Sequence, residues 1–287
     1  MVSRRDVLIG GGATAALAGI GALAVAEDWV PGSERLKRRF ADTGPDGTIP
    51  DAPAGDVRLE TRFSEARGTQ VGLFTAVPDG HGTGEGLPVC LVLHGASATA
   101  ADLEGFGLPR FLTAAVRDGV PPFVLVGTDG GRKMWRSSGP DDPDDPQRML
   151  IEEVPGWLAE RGFDWDRRAA WGWSMGGAGA LLLGEAEGNA LAAVAAFSPA
   201  VPDGPDGTAD TDDGRPRDVW AATDRLAGTD IGLWCGSADP LFDRVQRFAD
   251  ALDPAPAVAE WARGDHTRGY WDRITPAAFA FIGDSLT

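Results

Sequence analysis

Cysteine is nearly absent from this chain of 287 residues, which has only two, Cys90 and Cys235. That excludes a disulfide-stapled scaffold and any cysteine-rich metal cluster. Histidine is almost as scarce, with three widely separated residues, His81, His94 and His266, so no ligand spacing for a catalytic metal is present and no cofactor is expected. Lysine occurs only at Lys37 and Lys133, and 43 acidic residues against 26 basic ones give a formal net charge of -17. A surface so poor in positive charge excludes nucleic acid, whose phosphates need a basic face. The acidity is read instead as solubility.

Long uncharged runs are also few, and the most conspicuous is Val7 to Ala26, rich in Gly, Ala and Leu. It follows Ser3-Arg4-Arg5-Asp6-Val7-Leu8, which resembles a twin-arginine export signal without the usual lysine. Residues 1–26 are therefore expected to be a signal or membrane anchor. Both Ala22-Leu23-Ala24 and Ala24-Val25-Ala26 suit cleavage, and the run is long enough to span a bilayer if retained. Membrane contact is expected through this segment alone, with the protein exported or held at the outer face of the cytoplasmic membrane. Val7-Leu8-Ile9-Gly10-Gly11-Gly12 mimics a dinucleotide-binding turn, but no second strand ending in an acidic residue follows, so that reading is set aside. Gly, Pro and Asp then mark residues 27–55 as a linker.

Residues 56–287 are expected to form one catalytic domain, and the protein to be a monomer. Val57 to Phe63 and Thr69 to Ala76 read as a hairpin. After it, apolar runs that suit buried strands alternate with helical patterns: strands at Leu87 to Leu93, Pro122 to Gly127, Ala169 to Trp173, Leu191 to Phe197, Ile231 to Gly236 and Val258 to Arg263. Helices are expected at Thr99 to Asp118, Asp145 to Arg161, from Gly176, near Asp218 to Leu226, at Pro240 to Leu252 and at Tyr270 to Leu286. Such alternation predicts a mostly parallel sheet with helices on both faces, and the hairpin supplies an antiparallel edge.

The chemistry concentrates at Trp171-Gly172-Trp173-Ser174-Met175-Gly176-Gly177. A strand, a sharp turn and a helix meet there, and the glycines of G-x-S-x-G leave room for strand and helix to approach while Ser174 is held on a strained turn as a nucleophile. A serine nucleophile needs a base, an orienting acid and an oxyanion hole, each at a strand's C-terminal end. His266 follows the last strand and is the base candidate; His94 and His81 precede the elbow. Asp239 follows the penultimate strand and is the acid candidate, with Asp243 and Asp265 as competitors. The Met175 backbone N–H, at a helix N-terminus, is one oxyanion donor. The second is placed at Ala96, with Gly95 and Ser97 as neighbours of equal chemistry.

Taken together, His94-Gly95, Asp129-Gly130-Gly131 with Trp135, Gly172-Trp173-Ser174-Met175-Gly176-Gly177, Gly236-x-x-Asp239-Pro240 and His266 resemble the esterase family of α/β hydrolases that includes esterase D (S-formylglutathione hydrolase) and the secreted mycolyltransferases. The resemblance covers about Asp56 to Leu286. It implies an α/β-hydrolase fold, a triad of Ser174, Asp239 and His266, and a small-molecule or lipid-like acyl ester or thioester as substrate. Two other readings stay open: transfer of the acyl group to a sugar or other alcohol, and a cell-surface binding protein that keeps the fold without turnover.

Weaker signals complete the picture. Trp135, Trp157, Trp165, Trp171 and Trp173 are large aromatics of the kind that build cores; Trp135 and Trp173 are the two candidates for an acyl pocket. Asp141 to Asp145 is expected to be a solvated acidic turn rather than a calcium loop, because Pro143 interrupts it. Cys90 and Cys235 are expected to be free, buried thiols on strands separated by others.

Overall fold

The computed structural model describes residues 43–139, 142–207, 210 and 214–287. The expected leader, 1–26, and the first part of the expected linker lie outside the described residues. Residues 43–55 contain no helix or strand, yet they lie against the domain: Gly47 N–H donates to Gly269 C=O at 2.7 Å and Arg110 Nε to Ala52 C=O at 3.0 Å.

Eight strands form one sheet: β1 (Asp56–Ser64), β2 (Thr69–Val77), β3 (Pro88–Leu93), β4 (Val124–Thr128), β5 (Asp164–Trp173), β6 (Ala193–Phe197), β7 (Asp230–Gly236) and β8 (Val258–Ala262). Their spatial order is β1-β2-β4-β3-β5-β6-β7-β8. β1 and β2 pair antiparallel, as does β2 with β4; from β4 to β8 every pairing is parallel. This is an α/β-hydrolase fold. Strand β3 shows why apolar runs rather than alternation mark its centre: Val89, Leu91 and Leu93 feed the core on one face, and Cys90 and Val92 the core on the other.

Helices cover both faces. On the first lie a helical stretch α3 (146–161), α4 (Met175–Glu187) and α5 (Phe242–Ala251), through Leu150, Leu181 and Phe248. On the second lie α2 (Leu108–Arg117) and α6 (Arg268–Ser285), through Phe111 and Phe279. Among the described residues no helix is long and apolar enough to cross a membrane.

Three expected helices differ. Thr99 to Asp118 divides into a short α1 (Asp102–Gly105) and α2, because Gly107 between them takes φ 74° against the Ile49 side chain. Within α3 the turn Met149–Glu153 is a π-helix, next to Pro155, which has no N–H to continue the regular ladder. Near Asp218 to Leu226 only a single 3-10 turn, Thr223–Leu226, forms. There the Asp218 carboxylate accepts from Trp220 N–H at 3.0 Å and from Asp206 N–H at 2.9 Å, so a local side-chain bond competes with helix initiation.

Candidate active site

The turn after β5 is strained, as a serine held on a sharp strand-to-helix turn must be. Ser174 has φ 54° and ψ -120°, a region that costs a non-glycine residue on the order of 1–3 kcal/mol. The surroundings hold it there: Ser174 N–H donates to Phe197 C=O at 2.8 Å, and Ala200 N–H returns a bond to Ser174 C=O at 2.9 Å. A Cβ on Gly172 would land on the Gly176 carbonyl, and one on Gly176 would land on the Leu93 carbonyl. Both glycines are thus demanded by backbone contact.

His266 lies just before α6, which Thr267 caps by accepting the Tyr270 N–H. Its Nε2 is 3.0 Å from Ser174 Oγ, and its Nδ1 is 2.8 Å from Asp239 Oδ2. The other carboxylate oxygen, Oδ1, accepts Leu241 N–H at 2.8 Å. Burial raises the Asp239 pKa, but the facing His266 and the hydrogen bonds from His266, Ser198 and Leu241 outweigh it, so the group stays below its ordinary value. The competitors separate: Asp243 is exposed on the first turn of α5, and Asp265 turns inward to accept the His266 N–H at 2.7 Å. His81 sits in an exposed turn.

Met175 opens α4, which directs its N–H to the helix N-terminus beside Ser174. Ala96 is half-buried in the loop after β3, and its carbonyl accepts from Arg132 Nε at 3.0 Å. The two tryptophans singled out for a pocket are both buried. Trp135 is 1% exposed and donates its indole N–H to His94 C=O at 3.0 Å; Trp173 is 4% exposed among Phe106, Trp171 and Trp271.

Two residues near the triad gave no signal on their own. Trp271, on α6, sets its ring edge-on to His266 at 5.0 Å between centroids, and its indole N–H donates to Ser198 Oγ at 3.2 Å. Ser198 is fully buried at the end of β6, between the strands that carry Ser174 and Asp239. That position at a strand end was the signal available for it.

Asp141 of the acidic stretch lies outside the described residues, and Asp142, Asp144 and Asp145 are held in ion pairs rather than left to solvent. Asp142 pairs with Lys133 at 2.9 Å and Asp144 with Arg67 at 2.6 Å. Asp145 is buried, pairs with Arg215 at 2.7 Å and caps α3 by accepting Arg148 N–H. Among the described residues no group of His, Cys, Asp or Glu is arranged to hold a metal ion. Cys90 and Cys235 are free and buried, on β3 and β7 with two strands between them, and burial pushes both thiols up.

A mostly parallel sheet with a strained serine at the strand-to-helix turn defines an α/β hydrolase. The model of the family described as Putative esterase matches residues 64–273, and the chain belongs to that family. No curated protein matches it in sequence. Among solved structures it is similar to a ferulic acid esterase, at 20% identity and a TM-score of 0.68, covering 81% of this chain and 98% of the other. It is also similar to an S-formylglutathione hydrolase from Agrobacterium tumefaciens, at 17% identity and a TM-score of 0.63, over 85% and 100% of the two chains. MPT51 from Mycobacterium tuberculosis matches at 17% identity and a TM-score of 0.62, over 81% and 100%. These likenesses are of fold.

Proposed function

We propose that the protein is an exported serine esterase that hydrolyses a small-molecule or lipid-like acyl ester or thioester through an acyl-enzyme. The observation that carries this reading is the continuous chain from Ser174 Oγ through the two nitrogens of His266 to Asp239. Ser174 Oγ attacks the acyl carbonyl carbon while His266 Nε2 takes its proton. The resulting oxyanion is met by the N–H groups of Met175 and Ala96. Collapse breaks the ester bond, His266 returns the proton to the leaving alcohol or thiol, and water, activated by the same imidazole, releases the acid and restores Ser174. Asp239 keeps the Nδ1–H tautomer in place throughout.

Transfer to a sugar or other alcohol differs only in which hydroxyl replaces the water, so product ester on addition of an acceptor decides between them. A non-catalytic surface protein would not react at all. The deciding experiment treats the purified protein with a fluorophosphonate probe and locates the adduct by mass spectrometry. The reading expects the adduct on Ser174, no adduct on Ser174→Ala, and loss of p-nitrophenyl ester hydrolysis in that variant. A label on Ser97 or Ser138 overturns it. Export is proposed on Arg4 and Arg5 ahead of an uncharged run, together with two buried free thiols, which suit a protein folded in a reducing compartment before transport.

A further inference from the structure

His94 is a buried histidine that the scheme above leaves without a role. It follows β3, is 1% exposed, and has both ring nitrogens engaged. Nδ1 lies 2.7 Å from Gly95 C=O; a carbonyl only accepts, so Nδ1 carries a proton. Nε2 receives the Gly130 N–H at 3.0 Å, so Nε2 carries none. These contacts admit one tautomer and the neutral ring alone. Burial acts in the same direction, lowering the pKa of the imidazole. The His94 carbonyl is fixed as well, by the Trp135 indole N–H at 3.0 Å, and the two rings meet edge to face with centroids 5.0 Å apart.

What the ring joins gives it a function. Gly95 and Ala96 belong to the loop after β3, and Gly130 to the loop after β4. The carbonyls of Leu93 and His94 are also the atoms a Cβ on Gly176 would strike, so the same backbone abuts the start of α4. We infer that His94 is a positioning residue for ester cleavage: its neutral, Nδ1-protonated ring clamps the loop carrying Ala96 to the loop after β4 and so sets the second oxyanion donor relative to Ser174. The inference rests on the serine esterase reading of the site. A proton on Nε2 would set N–H against N–H at Gly130 and open the clamp.

The test uses two neutral replacements. His94→Asn keeps a donor near the Nδ1 position but is too short to reach Gly130; His94→Gln places an amide oxygen where Nε2 was. Loss of an oxyanion donor costs about 10²–10³ in kcat, and His94→Asn is expected to lose about 10²-fold with KM within about threefold. Affinity for a boronate transition-state analogue should fall in proportion, while the acid limb of kcat/KM stays where the wild type has it. His94→Gln should recover at least about tenfold. Wild-type kcat in His94→Asn, or a change confined to KM, overturns the inference. Where the variants do not fold, imidazole ¹⁵N spectra of the full wild-type chain decide, since only three histidines contribute. One ring should remain neutral and Nδ1-protonated as the pH falls through the range in which an ordinary imidazole takes up its proton; a His94 ring protonated on Nε2, or titrating near the ordinary value of about 6.5, overturns the clamp. Failure of a fluorophosphonate to label wild-type Ser174 would fell the esterase reading instead, whereas labelled Ser174 with a fully active His94→Asn fells the His94 role alone.

Discussion

Ser174 and His266 stand 92 residues apart in the sequence, and the Oγ of one lies 3.0 Å from the Nε2 of the other. The parallel sheet brings them together, since its strands deliver their following loops to a common edge. His266 arrives after β8, at the sheet's end, while Ser174 arrives after the central β5. Asp239, on the loop after β7, reaches the outward face of the imidazole.

Asp239→Asn should lower turnover by about 10⁴-fold, because the amide can stabilise the wrong tautomer of His266. Asp243→Asn should remain within about threefold of wild type, since Asp243 is exposed on the first turn of α5. Asp265→Ala should fall between, because its carboxylate holds the His266 N–H. Steady-state kinetics on the three variants check the order; near wild-type turnover in Asp239→Asn contradicts it.

The folded pKa of Asp239 is lowered, so the stability it contributes is present above the ordinary value of about 3.9 and is lost as pH falls through the folded value. Denaturant unfolding of wild type and Asp239→Asn should therefore differ at pH 6 to 7 and converge in strong acid. A constant difference across that range would refute the assignment.

Glu185, on α4, behaves oppositely. It is 1% exposed, neither carboxyl oxygen has a hydrogen-bond partner, and burial pushes its pKa up to about 9. A carboxyl whose folded pKa is raised binds its proton more tightly in the folded state, so stability declines from the unfolded value near about 4.3 up to about 9. Glu185→Gln, neutral at every pH, should flatten that decline and be more stable than wild type at pH 9. Parallel melting-temperature curves between pH 5 and 9 would show that Glu185 is not the source.

Gly176→Ala should fail in folding rather than in chemistry. Its Cβ would strike the Leu93 carbonyl, which is backbone and cannot turn aside. Destabilisation of about 2 kcal/mol or more, or loss to inclusion bodies, is expected. A soluble variant with the wild-type unfolding midpoint would contradict the close approach.

Arg4→Lys with Arg5→Lys should hold the protein in the cytosol. Fractionation and N-terminal sequencing of the wild-type exported form check this, the latter placing any cleavage after Ala24 or Ala26. Unchanged export in cells lacking the twin-arginine translocase rules the route out.

The sequence by itself determined the features that depend on neighbours along the chain. Gly172, Ser174 and Gly176 spell a turn whose steric demands are local, and apolar runs alternating with helical patterns specify a parallel sheet because such strands are buried on both faces. The chain order of Ser174, Asp239 and His266 could be read from the same logic, since each follows a strand. Tertiary structure alone decided what depends on residues brought from afar. Asp239 is distinguished from Asp265 by which carboxylate faces His266 Nδ1: Asp239 meets the ring from the loop after β7, while Asp265, adjacent to the histidine in the chain, accepts its backbone N–H. The neighbours of Trp135 and Trp173 were likewise set by the fold, because a large aromatic serves core or pocket until its surroundings are known. The Asp142 to Asp145 run became ion pairs and a helix cap only once Lys133, Arg67 and Arg215 were folded against it. Ser198 and His94 took their places for the same reason: their partners, Trp271 on α6 and Gly130 on the loop after β4, come from elements that only the assembled fold brings within hydrogen-bonding distance.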